Sequence, residues 1–208
     1  MINKYYIFLF SILIDILDKK NKTKIINFFK KRFNDDEITL VDVGAHKGET
    51  IKLFSKNFCI KNIFAIEPNM EIFEILKKNF LLNKKIFLFN FGLSSGYEKK
   101  DLKVFEDTSS STFNKINTNT NYYARKKRFL SFFSNELKFK SLNSNLIPLS
   151  DLILKNNINQ IDILKIDTEG YEFKVLKGIQ DNQFKFIRYI YFEHHYDLML
   201  RKKLTIII

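Results

Sequence analysis

The sequence contains little of several residue types that define whole classes of protein. Its 208 residues include one cysteine, Cys59, two prolines and six glycines. A single cysteine excludes a disulfide framework and also a zinc site built from cysteines. The apolar stretch from Tyr5 to Leu17 is too short to cross a bilayer, which needs about 20 residues. No small-residue cleavage site follows this stretch, so a secretory signal is a poor fit.

Apolar and basic residues, by contrast, are abundant. Hydrophobic residues make up 45% of the chain, and the formal net charge is +12. The length and the apolar share predict one folded domain with a substantial core. The charge alone would favour a nucleic-acid partner. However, the basic residues are scattered, and Asn, Ile, Phe and Lys are in excess together, as an AT-rich coding sequence would produce. We therefore expect no nucleic acid, and a basic nucleic-acid-binding module is the least favoured alternative.

Residues 1–37 are predicted to form an N-terminal helical extension, and residues 38–208 the main domain. Polar residues at the end of the first apolar stretch, such as Asp15 and Asp18, indicate a helix that docks on a surface. Lys24–Phe33 is predicted to be a second helical segment. Packing against the domain is favoured over weak peripheral contact with a membrane. The expected location is the cytoplasm, with membrane-peripheral attachment as the alternative.

The most informative motif follows the apolar run from Ile38 to Val43. The run reads as a buried strand that breaks into Asp-x-Gly-x-x-x-Gly at Asp42, Gly44 and Gly48, and a helical pattern follows. Glycines at such a turn let a ligand lie close to the backbone. The spacing is not that of a dinucleotide fingerprint or of a phosphate loop. A nucleoside ligand without a pyrophosphate is therefore favoured over a purely structural turn.

A second apolar run ends in an acid at the position where a ribose-binding residue is expected. Ile63–Ile66 leads to Glu67 and Pro68, about where the second strand of a βαβ unit ends. An acid there can accept hydrogen bonds from ribose hydroxyls. A solvated glutamate at a strand end is the alternative, but the two features together favour a nucleoside.

The order of the predicted elements indicates an α/β protein with a mostly parallel, twisted sheet flanked by helices. Strands are expected at about 39–43, 62–67, 86–91, 161–167 and 187–193, with helices at 48–58, 70–82, 150–157 and from about residue 169. The stretch at about 95–146 lacks a clear period. It is predicted to be a lid or insertion near the site, with a mobile insertion of no chemical role as the alternative.

Three blocks of the chain together resemble the FkbM-type methyltransferases, which depend on S-adenosylmethionine and have a Rossmann-like class I fold. The blocks are Val41–Thr50, Ile66–Asn69, and Leu164–Glu172 with Val175–Gly178. The third block, which contains Lys-Ile-Asp-x-Glu-Gly-x-Glu, is the most diagnostic.

This resemblance covers about Leu40 to Glu193. It implies O-methylation of a hydroxyl on a small molecule, a sugar or a glycan, with S-adenosyl-L-methionine as cofactor. The predicted cofactor-binding residues are Asp42, Gly44, Ala45, His46, Gly48, Glu67 and Pro68.

A hydroxyl acceptor must lose its proton, so the site needs a base. Asp167 is the first candidate for that base or for a ligand of the acceptor hydroxyl, and Glu169 is the second, since both lie where the fourth strand meets its helix. Glu169 has an alternative role at a helix N-terminus. His194 and His195 are alternative bases beyond the last predicted strand. No metal site is predicted, because the set of possible ligands is too loose.

The fold of the family usually continues with an antiparallel pair of strands. After the last predicted strand, this sequence has room only for one helix and the apolar residues Thr205–Ile208. We therefore expect the C-terminal strands to be missing. A catalytically impaired, nucleoside-binding relative is the corresponding alternative to an active enzyme.

Overall fold

The computed structural model describes residues 21–105, 111–114 and 139–192. Its strands are β1 (Ile38–Val43), β2 (Ile60–Ile66), β3 (Ile86–Phe89), β4 (Gly92–Ser94), β5 (Glu98–Phe105), β6 (Ser111–Thr112), β7 (Phe139–Pro148), β8 (Ile161–Ile166) and β9 (Ile187–Phe192). Its helices are α1 (21–33), α2 (Glu49–Asn57), α3 (Met70–Phe80), α4 (Leu149–Lys155) and α5 (Glu172–Leu176), with a 3-10 helix at Asp181–Phe186.

Within the described residues, the central sheet has five parallel strands in the order β3-β2-β1-β8-β9. All six residues of β1 and all six of β8 are buried. Such uninterrupted burial is typical of central parallel strands covered on both faces. The predicted α/β, Rossmann-like fold is therefore confirmed.

Helices cover both faces of this sheet, and each face has its own apolar core. On one face α1, α2 and α3 pack on side chains such as Leu40 and Ile63. On the other face α4 and α5 pack on Val41 and Leu164. Neighbouring residues of β1 point to opposite faces, as the pleat of a strand requires.

Helix α1 is part of the domain core. Its Ile26, Phe29 and Phe33 are at most 5% exposed, and Phe33 stacks on Phe29 and meets Tyr189 of β9 edge to face. The second half of the predicted N-terminal extension therefore packs on the sheet. The first predicted helix lies outside the described residues. In the described ranges no helix is both long and apolar enough to span a membrane.

A second sheet replaces much of the irregular lid that was expected at 95–146. It has four strands in the order β4-β7-β5-β6, and β5 pairs antiparallel with β7 along its whole length. Strand β5 was hard to recognise in the sequence because, of residues 98–104, whose burial the structure describes, Leu102 and Val104 alone are buried, and three of the others are lysines. Residues 106–110 and 115–138 lie outside the described part of the chain.

Several element boundaries also differ from the predicted ones. Strand β3 ends at Phe89, and α5 begins at Glu172 rather than near Glu169. Helix α4 begins at Leu149, with Pro148 as its N-cap, and Ser150 lies inside it. The prediction of missing C-terminal strands concerns residues 193–208, which are outside the described residues.

Candidate functional site

A cleft opens at the carboxyl ends of β1, β2 and β8. Strand β1 lies between β2 and β8. The chain passes from β1 to β2 on one side and later enters the sheet again at β8 on the other side, which defines a topological switch point. Ligands of open α/β sheets bind in the crevice at such a point. The empty space of the cleft is about 640 Å³, including the part that is open to solvent.

Two groups of residues line this cleft. The strand ends contribute Val43, Gly44, His46, Ile66, Glu67, Pro68, Asp167, Thr168 and Glu169, and the second sheet with its flanking residues contributes Gly92, Leu93, Leu102, Ser111 and Phe113. The first group is rich in carboxylates and the second is mainly apolar. The cleft therefore has one acidic side and one apolar wall.

The turn after β1 needs both of its glycines. Gly44 has φ +79°, and a Cβ built on it would lie 1.9 Å from the carbonyl oxygen of Asp167. Gly48 has φ +91°, and its Cβ would lie 2.1 Å from the ring of Phe80. The backbone N–H groups of Gly44 and Ala45 both donate to the carbonyl of Ile66, at 3.0 Å each. The turn is thus packed closely against the ends of β8 and β2.

Glu67 ties the end of β2 to the glycine turn. Its Oε2 accepts the backbone N–H of His46 at 3.0 Å, and its Oε1 accepts that of Asn69 at 2.8 Å. The residue is only 5% exposed. Burial raises the pKa of the Glu67 carboxyl, and the two backbone hydrogen bonds offset part of that effect. Each oxygen keeps acceptor capacity for a further donor.

A buried lysine lies between two aspartates beneath the cleft. Lys165 Nζ is 3.1 Å from Asp42 Oδ1 and 3.3 Å from Asp167 Oδ2, and it donates to the carbonyl of Gly44 at 3.1 Å. Burial opposes the charge of Lys165, but the two carboxylates outweigh it and hold the pKa of the ammonium above its ordinary value. Burial raises the pKa of Asp42, and Lys165 opposes that shift.

The loop after Asp167 is held from two sides. Glu169 has φ +50° and Gly170 has φ +94°, which is an uncommon conformation for a glutamate. Oε1 of Glu172 accepts three donors, the N–H and the hydroxyl of Thr168 and the N–H of Gly170, at 2.9–3.2 Å.

From the second sheet, Thr112 Oγ1 donates to the carbonyl of Glu169 and Asn114 Nδ2 to that of Gly170, both at 2.8 Å. The second sheet and Glu172 therefore fix the loop that carries Glu169. Strained backbone held in this way is frequent at functional sites.

The structure brings six of the predicted site residues to the surface of the cleft. These residues are Gly44, His46, Glu67, Pro68, Asp167 and Glu169. Asp42 and Ala45 are 0% and 2% exposed and lie behind that surface, and Gly48 caps α2. His194 and His195 lie outside the described residues.

Sequence reasoning missed the roles of Lys165 and Glu172, although both belong to the diagnostic third block. A lysine in the strand Ile161–Ile166, which is apolar apart from Asp162 and Lys165, was the available signal for Lys165, since a buried charge requires partners. Glu172 gave no comparable signal. Within the described ranges, no three His, Cys, Asp or Glu side chains are grouped so that they could hold a metal ion.

The fold and the cleft together define a class of protein, the Rossmann-like α/β proteins that bind a ligand at the switch point of a parallel sheet. Residues 42–202 match the family model of the methyltransferase FkbM domain. The chain belongs to this family.

Two known proteins are similar to this chain. The methyltransferase sdnD of Sordaria araneosa is 24% identical over 168 residues, which cover 74% of this chain and 65% of that protein. The crystal structure of methyltransferase FkbM from Methylobacillus flagellatus KT is 16% identical, with a TM-score of 0.41. That match covers 69% of this chain and 29% of the other. The chain thus spans just under two thirds of the curated relative.

Proposed function

We propose that this chain is an S-adenosylmethionine-dependent methyltransferase that methylates a hydroxyl group on a small molecule, a sugar or a glycan. Its family supports a methyltransferase. The observation that carries the proposal is that the ends of three strands, marked by Gly44, Glu67 and Asp167, line one cleft at the switch point. A nucleoside cofactor needs a backbone that it can approach closely, an acceptor for its ribose hydroxyls and a polar side chain nearby.

The residues present fit the cofactor. Gly44 has no side chain, so a ligand can lie against the backbone of the turn. Glu67 would accept the ribose hydroxyls with its remaining acceptor capacity, and His46 and Pro68 flank it. When bound, S-adenosylmethionine supplies an electrophilic methyl group on a positively charged sulfur. The carboxylates of Glu67, Asp167 and Glu169 favour such a cationic ligand.

Asp167 is the proposed base for the acceptor hydroxyl. Its Oδ2 is paired with Lys165, whereas within the described part of the chain its Oδ1 takes part in no hydrogen bond or ion pair. An oxygen of this kind can bind a hydroxyl proton, and a positioned base typically adds about 10²–10⁴-fold to a rate. Glu169 is the second choice, and His194 and His195 are the predicted alternatives.

The second sheet is the proposed acceptor side of the cleft. Leu93, Leu102 and Phe113 give this wall an apolar surface, and Ser111 adds one hydroxyl. Aromatic and aliphatic walls of this kind bind the apolar faces of sugars and other ring compounds, while a few polar groups fix their orientation. In this arrangement the acceptor hydroxyl would lie between the wall and Asp167.

Calorimetry with the full-length chain tests the cofactor. We expect S-adenosylmethionine to bind, and Glu67→Gln to weaken binding about tenfold or more, because a hydrogen bond to a charged group is lost. Glu74→Gln is the matched control, since Glu74 lies exposed on α3 and is paired only loosely with Lys77, at 4.0 Å. Equal affinity for all three proteins would refute the assignment.

Methyl transfer is tested separately with labelled cofactor and a panel of sugars and glycans. We expect product with the wild-type chain and at least about a hundredfold less with Asp167→Asn. Cofactor binding without transfer to any acceptor would favour the nucleoside-binding relative. Affinity for nucleic acid that falls steeply with salt would favour the basic module.

A further inference from the structure

Lys165 is unusual because a lysine side chain is rarely buried. Its side chain is 7% exposed, and the three oxygens of Asp42, Asp167 and Gly44 surround its ammonium group. An ammonium group has three N–H donors. Its neighbours come from the end of β1, from the glycine turn and from the end of β8. The lysine thus links the three backbone segments that meet at the switch point.

Asp42 alone would compensate the charge of Lys165, so the second carboxylate calls for a separate explanation. Asp42 is 0% exposed and lies behind the cleft surface. Asp167 is 29% exposed in its side chain and lines the cleft. The ammonium therefore contacts one carboxylate that no ligand can reach and one that a ligand can.

We infer that Lys165 is a positioning residue, which holds the Asp167 carboxylate and the Gly44 carbonyl in place at the cleft, and that Asp42 acts on the site only through Lys165. The inference rests on the proposed function insofar as the ligand is S-adenosylmethionine. It assigns Asp42 an indirect effect on binding in place of the direct contact that the sequence motif implied.

The contacts of Asp42 support an effect on the site that passes through Lys165. In the part of the chain that the structure describes, the Asp42 carboxylate contacts Lys165, whose Nζ lies 3.1 Å from Oδ1, and its Oδ2 has no hydrogen-bond partner. Asp42 keeps Lys165 charged, and Lys165 in turn makes the directed contact with the glycine turn.

A double-mutant cycle tests whether Lys165 acts through Asp167. Removing Lys165 alone would leave Asp42 buried without compensation, so every variant carries Asp42→Asn. We expect Lys165→Met to weaken S-adenosylmethionine binding about tenfold in the D42N chain, and about threefold or less in the D42N/D167N chain, where Lys165 still holds the Gly44 carbonyl. A purely structural lysine would cause the same loss in both. That result would overturn the inference.

A second measurement needs no ligand. Hydrogen exchange at the amides of residues 44–46, which bond to Ile66 and Glu67, is expected to be about tenfold faster in D42N/K165M than in D42N. Lys85→Met is the matched control, because Lys85 pairs with Glu37 and Ile60 at the other end of the sheet.

The outcomes separate the inference from the proposed function. If the wild-type chain binds no S-adenosylmethionine, the proposed cofactor is wrong. Faster hydrogen exchange at residues 44–46 in D42N/K165M would still support the inference that Lys165 holds the glycine turn in place. Unchanged exchange at residues 44–46 overturns the inference whether or not the cofactor binds. In the D42N chain, Lys165→Arg is expected to keep part of the affinity that Lys165→Met loses, since arginine keeps the charge but not the shape of lysine.

Discussion

Replacing Gly44 with alanine gives the sharpest test of how the cleft is built. In the structure an added Cβ would lie 1.9 Å from the carbonyl oxygen of Asp167 and 3.0 Å from its carbonyl carbon. These are backbone atoms at the end of a central strand, so they cannot rotate away as a side chain can. The ends of β1 and β8 would have to separate.

Two costs contribute to the expected magnitude. The left-handed conformation of Gly44, with φ +79°, costs alanine about 1–2 kcal/mol. Overpacking that shifts the backbone typically adds about 1–3 kcal/mol. We therefore expect Gly44→Ala to lower the free energy of unfolding by about 2–5 kcal/mol, a large part of the total of about 5–15 kcal/mol that is typical of a domain.

The assay is urea denaturation of the full chain, with Gly96→Ala as the control. A Cβ at Gly96 would meet nothing within 4 Å, so that change is expected to be neutral or slightly stabilising. A Gly44→Ala chain that is as stable as Gly96→Ala would show that the two strand ends are not packed as described. The reasoning about the glycine turn would then be wrong.

Three further predictions concern other parts of the site and its support. Glu172→Ala leaves the N–H groups of the 168–170 turn without their acceptor, so we expect a loss of about 1–3 kcal/mol and faster hydrogen exchange in that turn; unchanged exchange would contradict the role of Glu172. Phe33→Ala should cost about 3–5 kcal/mol in denaturation because Phe33 is fully buried, whereas Phe173→Ala, at an exposed position, should change stability little. Because the pKa of Glu67 is raised in the folded chain, the folded state keeps that proton more firmly than the unfolded state does. The wild-type chain should therefore lose stability relative to Glu67→Gln as the pH rises from the ordinary value of 4.5 through the raised pKa, and parallel pH profiles of unfolding would refute this.

The parts of the fold that could be predicted are those in which local pattern and burial agree. The apolar run of β1, the glycines of the turn and the helical spacing of apolar residues in α3 are local patterns. Each of them can be recognised from near neighbours in the chain. Glu67 could be placed at the end of β2 because the apolar run stops there. Local sequence is enough for these features, and the position of the cleft follows from the order of the strands.

The parts that could not be predicted depend on partners far away in the chain. Lys165 is buried because Asp42 lies beside it in the neighbouring strand, more than a hundred residues earlier. The pairing of β5 with β7 joins Glu98 to Leu146 and Phe105 to Phe139, and neither strand alternates strongly enough to be recognised alone. The loop at Glu169 is held by Thr112 of the second sheet, and no local pattern indicates that contact.

The charge of the whole chain and the charge of the side chains that line the cleft have opposite signs. At physiological ionic strength a charge is screened over about 8 Å, so scattered surface lysines contribute little to the potential inside the cleft. Glu67, Asp167 and Glu169 line the cleft, and Lys165, the buried lysine beneath it, also faces Asp42. A ligand in the cleft therefore encounters more negative than positive charge in a chain whose net charge is +12. This local excess is consistent with the proposed cationic cofactor and disfavours a polyanion, so the net charge of the chain is a poor guide to the ligand of this cleft.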